Sequence, residues 1–442
     1  MLEKQMNFSP SKTLISFFLI IITIGTILLS LPISLNNNVQ PSLLTNLFTA
    51  VSATCVAGLS VIQIADYYSI FGQIVILVLI QIGGLGYMFV STVAAILFGK
   101  MALKDRRILQ ELFDITSFQD LKKLLTKTII FVFAIEILGA LLLTIFYLKQ
   151  FPFLKSAYFG IFTSISAFCN SGFSPFNNSL CDFFYNPAIL SVLMVLSIIG
   201  GLGFFVMIDI YDTYKEKRLH ISLNSKIVLV FSLVILVCSF IFFMVYGENS
   251  FFKDEGVLYS VINSLFGAAS VRTAGFNTIE MSVYNEFAKM LFVIVMAIGA
   301  APAGTAGGLK VTTLAVVIVF LRSFLKSKEE VTIFNKKIPD DIVQKATVIF
   351  VLFVILIAVF SSILILLEPD KDVMDIFFEV VSAFSTTGLS INLTDKLSSY
   401  GRIVIILAMI VGRIGILTLL LSVVNSNRKM KLKYPEERIL VG

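Results

Sequence analysis

Apolar stretches of two lengths alternate along this 442-residue chain. Long stretches of about 20 residues can cross a bilayer as helices, because a helix rises about 1.5 Å per residue, whereas short stretches of roughly three turns cannot. The long ones are 13–31, 70–98, 128–148, 186–210, 227–246, a stretch from 287, 342–367 and 402–425, and the short ones are 43–53, 156–168, 257–269 and 373–383. The pattern predicts an all-α polytopic membrane protein with about eight spanning helices and four short re-entrant helices.

Each short stretch runs into a nine-residue motif with one glycine at its seventh position. The copies read SATCVAGLS from residue 52, SAFCNSGFS from 166, the looser ASVRTAGFN from 269 and SAFSTTGLS from 382. Their glycines recur after 114, 103 and 113 residues, which indicates four repeats of one unit: helix, short pore helix, filter loop, helix. We place repeat 1 at 1–99, repeat 2 at 100–212, repeat 3 at 213–325 and repeat 4, with the C-terminal tail, at 326–442.

The charge distribution predicts the orientation in the membrane. Hydrophobic residues make up 57% of the chain and charged residues 14%, well below the roughly 25% of soluble domains. Lys and Arg cluster in both termini and between the repeats, at 100–127, 215–226 and 322–345, so the termini and these connections are expected in the cytoplasm and the glycine motifs outside. This distribution explains the net charge of +6 without nucleic-acid binding, and one His and four scattered Cys give no metal-ligand or disulfide pattern.

Four re-entrant loops around one axis would form a pore for a monovalent cation. Non-helical backbone at membrane depth is tolerated only where protein buries it or it lines water, and rings of carbonyl oxygens can replace the hydration shell of K⁺. Glycine suits such a turn because it adopts backbone conformations closed to other residues. The candidate K⁺ ligands are the backbone carbonyls of Cys55, Val56, Ala57 and Gly58, of Asn170, Ser171 and Gly172, of Thr273, Ala274 and Gly275, and of Thr386, Thr387 and Gly388.

The second helix of the third repeat is interrupted by a run of small residues below the predicted filter. Equivalent positions read GGLG from 83, GGLG from 200, GAAP from 299 and GRIG from 412, so an arginine lies in the fourth span. We interpret the run as a flexible gate, since the other three helices are expected to stay intact; the alternative is a kinked helix that packs closely through its small residues. We interpret Arg413 as a charge facing the pore; the alternative is a structural ion pair or a carbonyl cap. The candidate gate residues are Gly299, Ala300, Ala301, Pro302, Ala303, Gly304, Thr305, Ala306, Gly307, Gly308, Lys310 and Arg413.

Together the four loops, the string RTAGFNT from 272 and the Gly-rich interruption resemble the Trk/Ktr/HKT superfamily of potassium transporters, over nearly the whole chain. The span count and the ending KYPEER from 433 are most similar to KtrB-type subunits. The resemblance implies K⁺ uptake across the bacterial cell membrane, assisted by Na⁺ in several relatives, by a homodimer embedded in lipid on a cytosolic ring of KtrA-type subunits. A glycine at all four motif positions implies K⁺ preference, since a serine at the first accompanies Na⁺ preference in some plant relatives. No GxGxxG turn opens a helix in a soluble segment, so the nucleotide-binding regulator is another chain, and no organic cofactor is expected here.

Other function classes fit the sequence less well. A Na⁺-preferring cation transporter is the nearest alternative. A secondary transporter of a small solute usually has two repeats and charged groups for the solute, and a membrane enzyme would need a nucleophile, a metal cluster or paired carboxylates within the spans. Two charged residues near the loops have expected roles. Arg272 braces the third loop, with Glu280 or Glu286 as candidate partners. Glu379 either steadies the fourth loop through hydrogen bonds, which we favour, or adds negative potential.

Overall fold

The computed structural model describes residues 10–36, 42–97, 118–217, 219–250, 252 and 255–415. Its main helices are α1 (Pro10–Leu29), α2 (Leu43–Cys55), α3 (Ile70–Leu97), α4 (Phe118–Tyr147), α5 (Phe153–Phe168), α6 (Pro187–Leu202), α7 (Phe204–Lys215), α8 (Leu223–Ser250), α9 (Val257–Ala269), α10 (Glu286–Ala297), α11 (Val311–Leu325), α12 (Asp340–Leu367), α13 (Val373–Ser385) and α14 (Ser399–Ile414). A two-stranded hairpin, β1 (Thr332–Ile333) and β2 (Lys336–Lys337), which the sequence did not predict, joins α11 to α12. The rest of the described chain is helical or irregular.

Each repeat starts with a long apolar helix at the periphery. The membrane-length windows of α1, α4, α8 and α12 are only 28%, 22%, 28% and 22% buried, which leaves most of their apolar side chains facing outward, as lipid contact requires. These four helices are long and apolar enough to span a membrane singly, and α6 with α7 makes a fifth, bent candidate.

The short helices α2, α5, α9 and α13 lie inside and are the four predicted pore helices. Each carries a phenylalanine with 0–1% exposure four residues before the serine of its motif: Phe48, Phe162, Phe266 and Phe378. Two of these helices begin at side-chain caps, where Ser42 accepts from the Thr45 amide and Asp372 from the Met374 amide. Burial of the apolar faces fixes all four short helices where propensity alone would not, and the caps add to the stability of α2 and α13.

The repeats close into a ring through their second helices. The second helix of each repeat packs on the pore helix of the next: α3 on α5, α6 on α9, α10 on α13, and α14 back on α2. The fourth repeat therefore contacts the first, and the four pore helices surround one centre.

The prediction that the second helices outside repeat 3 stay intact is wrong. The α3 helix is kinked at Gly86 (φ 64°), the chain bends by 92° between α6 and α7 at Gly203 (φ 85°), and α14 ends at Gly415 (φ 92°). Each break lies at the last glycine of the GxxG-type motif, where a positive φ is available without steric cost. The part of the predicted span 402–425 beyond 415, most of the basic segment 100–127 and the C-terminal tail lie outside the described residues.

Candidate ion-binding site

Three of the four filter loops share one turn geometry. The pore helix ends, the second residue before the glycine takes a left-handed conformation (Val56 φ 56°, Asn170 φ 56°, Thr386 φ 52°), and the chain leaves in an extended direction. In these loops the amide before the glycine returns to the carbonyl of the serine five residues earlier, at 2.8–2.9 Å. Asparagine tolerates this conformation well, whereas a β-branched residue there is strained.

The third loop is one residue shorter. There the glycine amide itself bonds the serine carbonyl, Gly275 to Ser270 at 3.2 Å, through a wide helical turn over Ser270–Ala274. Ser270 also donates its hydroxyl to the Phe276 carbonyl, as Ser382 does to Leu389 at 2.7 Å. Ser270 is thus the structural counterpart of the serine that starts the other motifs, and the gapless alignment beginning at Ala269 is wrong by one residue.

The four motif glycines form a closed ring. A Cβ built on Gly58 would lie 3.0 Å from Gly388 Cα and against the Ser171 carbonyl oxygen, and one on Gly172 would lie 3.0 Å from Gly275 Cα. One on Gly275 would lie 3.2 Å from Gly388 Cα. The loops therefore follow each other as 1–2–3–4–1, with all four glycines at φ between 71° and 90°. At this distance there is no room for a side chain on the ring, so main-chain groups provide its surface.

The ring separates an open vestibule from an intramembrane loop. The vestibule has a volume of about 540 Å³, and all four glycines lie in its wall with Glu280, Asp395 and Lys396. Carbonyl oxygens of the residues before three of the glycines, Ala57, Ser171 and Thr387, approach the ring; the Ala57 oxygen would lie 2.6 Å from a Cβ on Gly388. Such a site offers oxygen ligands without a fixed charge, which suits a monovalent cation rather than a solute needing charge pairing.

The intramembrane loop, residues 298–310 between α10 and α11, lies on the other side of the ring. It is held at the α6–α7 break: the Ala301 amide donates to the Gly201 carbonyl at 3.1 Å, and the Phe204 amide donates to the Ala303 carbonyl at 3.0 Å. All the gate residues predicted from the sequence, Lys310 included, belong to this loop except Arg413 on α14. Thr305 and Ala306 are fully buried within it.

Arg413 caps carbonyls in this structure. Its guanidinium donates to the Thr305 carbonyl of the intramembrane loop, to the Gly83 carbonyl, and to the Gly84 carbonyl at 3.1 Å. Lys310 donates to the Ala306 carbonyl at 2.6 Å. The carbonyl-cap alternative therefore describes the contacts of Arg413, and these contacts join the loop to the α3 helix of repeat 1.

Comparison with known proteins decides the family. The sequence matches the TrkH family, described as a cation transport protein, over residues 5–432. The chain belongs to the TrkH family. It is 33% identical to the potassium/sodium uptake protein NtpJ of Enterococcus hirae, over 98% of this chain and 97% of that one. It is also 33% identical to the Ktr system potassium uptake protein B of Bacillus subtilis, over 99% and 98%.

A solved structure supports the same fold. The potassium transporter TrkH from Vibrio parahaemolyticus superimposes with a TM-score of 0.75 at 18% identity, covering 96% of this chain and 87% of that one. The predicted resemblance and the all-α polytopic fold are thereby confirmed. TrkH-family membership also confirms that the chain is a transporter rather than an enzyme.

In this TrkH-family chain the motif glycines of the second helices have one packing role in three repeats. A Cβ on Gly83, Gly200 or Gly412 would collide with a carbonyl near the end of its own pore helix, that of Thr54, Phe168 or Phe384 respectively. Gly299 differs, because it packs against Gly307 within the intramembrane loop. The absence of a side chain thus lets helix and filter loop pack in direct contact.

The two buried charged residues near the loops, Glu379 and Arg272, form different hydrogen bonds. Glu379, fully buried on α13, accepts from the hydroxyls of Ser390 and Thr394 and from the Ile391 amide at 3.3 Å, so it braces the segment after the fourth glycine as predicted. Arg272 donates to the Ser232 hydroxyl at 2.9 Å rather than to a carboxylate, whereas Glu286 pairs with Lys289 at 3.0 Å.

A polar cluster behind the second loop was missed by the sequence analysis. Glu136 on α4 is 3% exposed and accepts from the Gln81 amide at 3.0 and 3.1 Å, with the Cys169 thiol 3.9 Å away. Cys169 directly precedes the filter residue Asn170. The signal was a single carboxylate in an otherwise apolar span, a feature that marks function or a buried partner.

Proposed function

We propose that this chain is the ion-conducting subunit of a K⁺ uptake system in the bacterial cell membrane. The closed ring of four glycines carries the proposal, because four filter loops that meet at one centre present main-chain oxygens to a single ion path. The candidate ligands are the filter carbonyls at 55–58, 170–172, 273–275 and 386–388. The names of the relatives support K⁺ as the transported ion.

We assign the intramembrane loop to the gate. It lies beneath the ring, its small residues permit rearrangement, and Arg413 and Lys310 hold it through carbonyl hydrogen bonds that can exchange partners. We propose that the positive charge of Arg413 lies close to the ion path in this conformation and opposes cation passage. The repeat boundaries at 99/100, 212/213 and 325/326 belong to the same proposal.

The proposed assembly is a homodimer on a cytosolic KtrA-type ring that binds nucleotide, with both termini in the cytoplasm. The word "system" in the names of the relatives supports a partner subunit, and the clustering of Lys and Arg between repeats supports this orientation. We also propose that Na⁺ assists K⁺ uptake by this assembly.

Growth on limiting K⁺ tests the function. A strain that lacks its own K⁺ uptake systems and carries this chain with a KtrA-type partner should grow at low K⁺ and take up K⁺ at a rate several-fold above the empty vector. The chain expressed without the partner and an empty vector are the controls.

A Na⁺-preferring transporter is the second candidate, favoured by the potassium/sodium name of the Enterococcus hirae relative. Uptake measured with each ion alone separates the two. Rapid Na⁺ accumulation without K⁺ accumulation would replace the first proposal by the second.

A further inference from the structure

Two filter side chains hold the intramembrane loop directly. The Asn170 amide donates to the Thr305 hydroxyl at 2.8 Å, and the Gly307 amide donates to the Thr386 hydroxyl at 2.8 Å. The Asn170, Thr305 and Thr386 side chains are fully buried, so solvent does not compete for these bonds. Hydrogen bonds in such dry sites are stronger than in water, and losing one leaves a buried polar group unpaired.

The two contact points lie on opposite sides of the ring. Asn170 belongs to loop 2 and Thr386 to loop 4. In the ring order 1–2–3–4 these two loops face each other across the centre. Thr305 and Gly307 are only two residues apart, a reach of about 7 Å. Ala306 between them therefore lies under the centre of the ring, and its carbonyl accepts from Lys310.

The same side chains also shape the filter. Asn170 accepts from the Thr273 hydroxyl of loop 3 at 3.2 Å, and Thr305 donates to the Phe168 carbonyl at 3.2 Å. Asn170 and Thr386 occupy the left-handed position two residues before the glycine, so each sets the direction of the carbonyls that follow. The equivalent residue of loop 1 is Val56, which has the same conformation but no polar group.

We propose that Asn170 and Thr386 are positioning residues that couple the gate to the filter. With both bonds made, the loop crosses the path and the diagonal filter loops are braced in the shape that binds K⁺. Release of the loop removes both braces, so conduction rises while discrimination against Na⁺ falls. By linkage, K⁺ in the filter must favour the braced loop. This inference rests on the proposed function.

Thr386→Val and Thr305→Val remove one hydroxyl each at nearly constant shape. Val56 shows that valine is accommodated at the conformation of Thr386. Ser385→Ala is the matched control, since the Ser385 hydroxyl has no hydrogen-bond partner among the described residues. Thr386→Ser, which keeps the hydroxyl, is the rescue variant. In vesicles, both valine variants should raise basal K⁺ flux and lower K⁺/Na⁺ discrimination about five- to tenfold, whereas Ser385→Ala matches the parent and Thr386→Ser recovers most of the discrimination that Thr386→Val loses.

A second readout follows the loop itself. Ala303→Cys puts a thiol at a partly exposed loop position, whereas Cys55 and Cys169 are buried. In inside-out vesicles an impermeant thiol reagent should label this cysteine more slowly in K⁺ than in Na⁺, and Thr386→Val should abolish the difference. The parent without the added cysteine gives the background.

Equal labelling rates in K⁺ and Na⁺ would overturn the coupling, and so would valine variants that behave as Ser385→Ala does. Either result leaves the proposed function intact, because the parent would still transport K⁺. Absence of K⁺ transport by the parent would instead overturn the proposed function.

Discussion

Each filter glycine is fixed by two independent constraints, a positive φ and a neighbouring backbone at contact distance. At Gly388 a Cβ would lie 2.6 Å from the Ala57 carbonyl oxygen and 3.0 Å from Gly58 Cα. Real Cβ atoms do not approach backbone this closely, so any other residue must separate loops 1 and 4. A wider ring contacts a small dehydrated ion differently from a large one, and so selectivity should be the first property to change.

Gly388→Ser is therefore expected to retain K⁺ uptake and to lower K⁺/Na⁺ discrimination about tenfold, which corresponds to ~1.4 kcal/mol. Inhibition of K⁺ uptake by increasing Na⁺ measures the change. Gly256→Ser is the matched control: Gly256 precedes α9 with its nearest neighbour at 3.6 Å, and serine is favoured at a helix N-terminus. Unchanged discrimination in Gly388→Ser would count against the filter assignment.

The one-residue shortening of the third loop can be read from the sequence, although the spacing of the glycines does not reveal it. The buried phenylalanines precede their glycines by ten residues in repeats 1, 2 and 4 but by nine in repeat 3, where Phe266 precedes Gly275. The serine spacing shortens by one as well. Aligning on the glycines alone cannot detect a deletion between helix and glycine; aligning on the core phenylalanines can.

At the scale of elements, the second helices are the part that hydropathy predicted least well. Apolar composition identifies a membrane segment, but it contains no information on where a glycine turns the chain. The break at Gly203, for example, lies where the intramembrane loop is seated at the α6–α7 junction, and this is a tertiary contact that hydropathy does not encode. The pore helices were predicted within three residues at either end, because burial and caps act locally on them.

The intramembrane loop is the element whose removal should be most informative. Deleting 301–307 removes the contacts to Asn170, Thr386 and Arg413 together. We expect basal K⁺ flux in vesicles to rise about tenfold or more, because the proposed ion path is no longer blocked by the loop. Detergent-extracted protein with the parent's elution profile is the folding control, and normal, partner-regulated flux in the deletion variant would contradict the gate assignment.

At the scale of the whole molecule, the filter belongs to no single repeat. Each second helix packs on the pore helix of the next repeat, and each glycine meets a neighbouring loop, so the ring closes only when all four repeats are in place. Convergent carbonyl dipoles repel one another in the absence of a cation. An ion that fits them should therefore stabilise the entire fold.

Purified protein should consequently unfold at a higher temperature in K⁺ than in an equal concentration of a large organic cation. A ligand at one hundred times its Kd adds about 2.7 kcal/mol to the free energy of unfolding. Thermal unfolding in detergent at constant ionic strength measures the shift, with Gly388→Ser predicted to show a smaller one. Equal melting temperatures in all cations would argue against an ion-binding ring.

The contact of Arg413 with Gly83 and Gly84 has a consequence for biosynthesis. The chain joins its fourth repeat to its first across about 330 residues, so the ribosome must translate nearly the whole message before the pore can be sealed. Until then the three inserted repeats lack the contacts that the fourth repeat makes with the first. A truncated translation product would therefore leave the Gly83 and Gly84 carbonyls without their guanidinium partner within the bilayer.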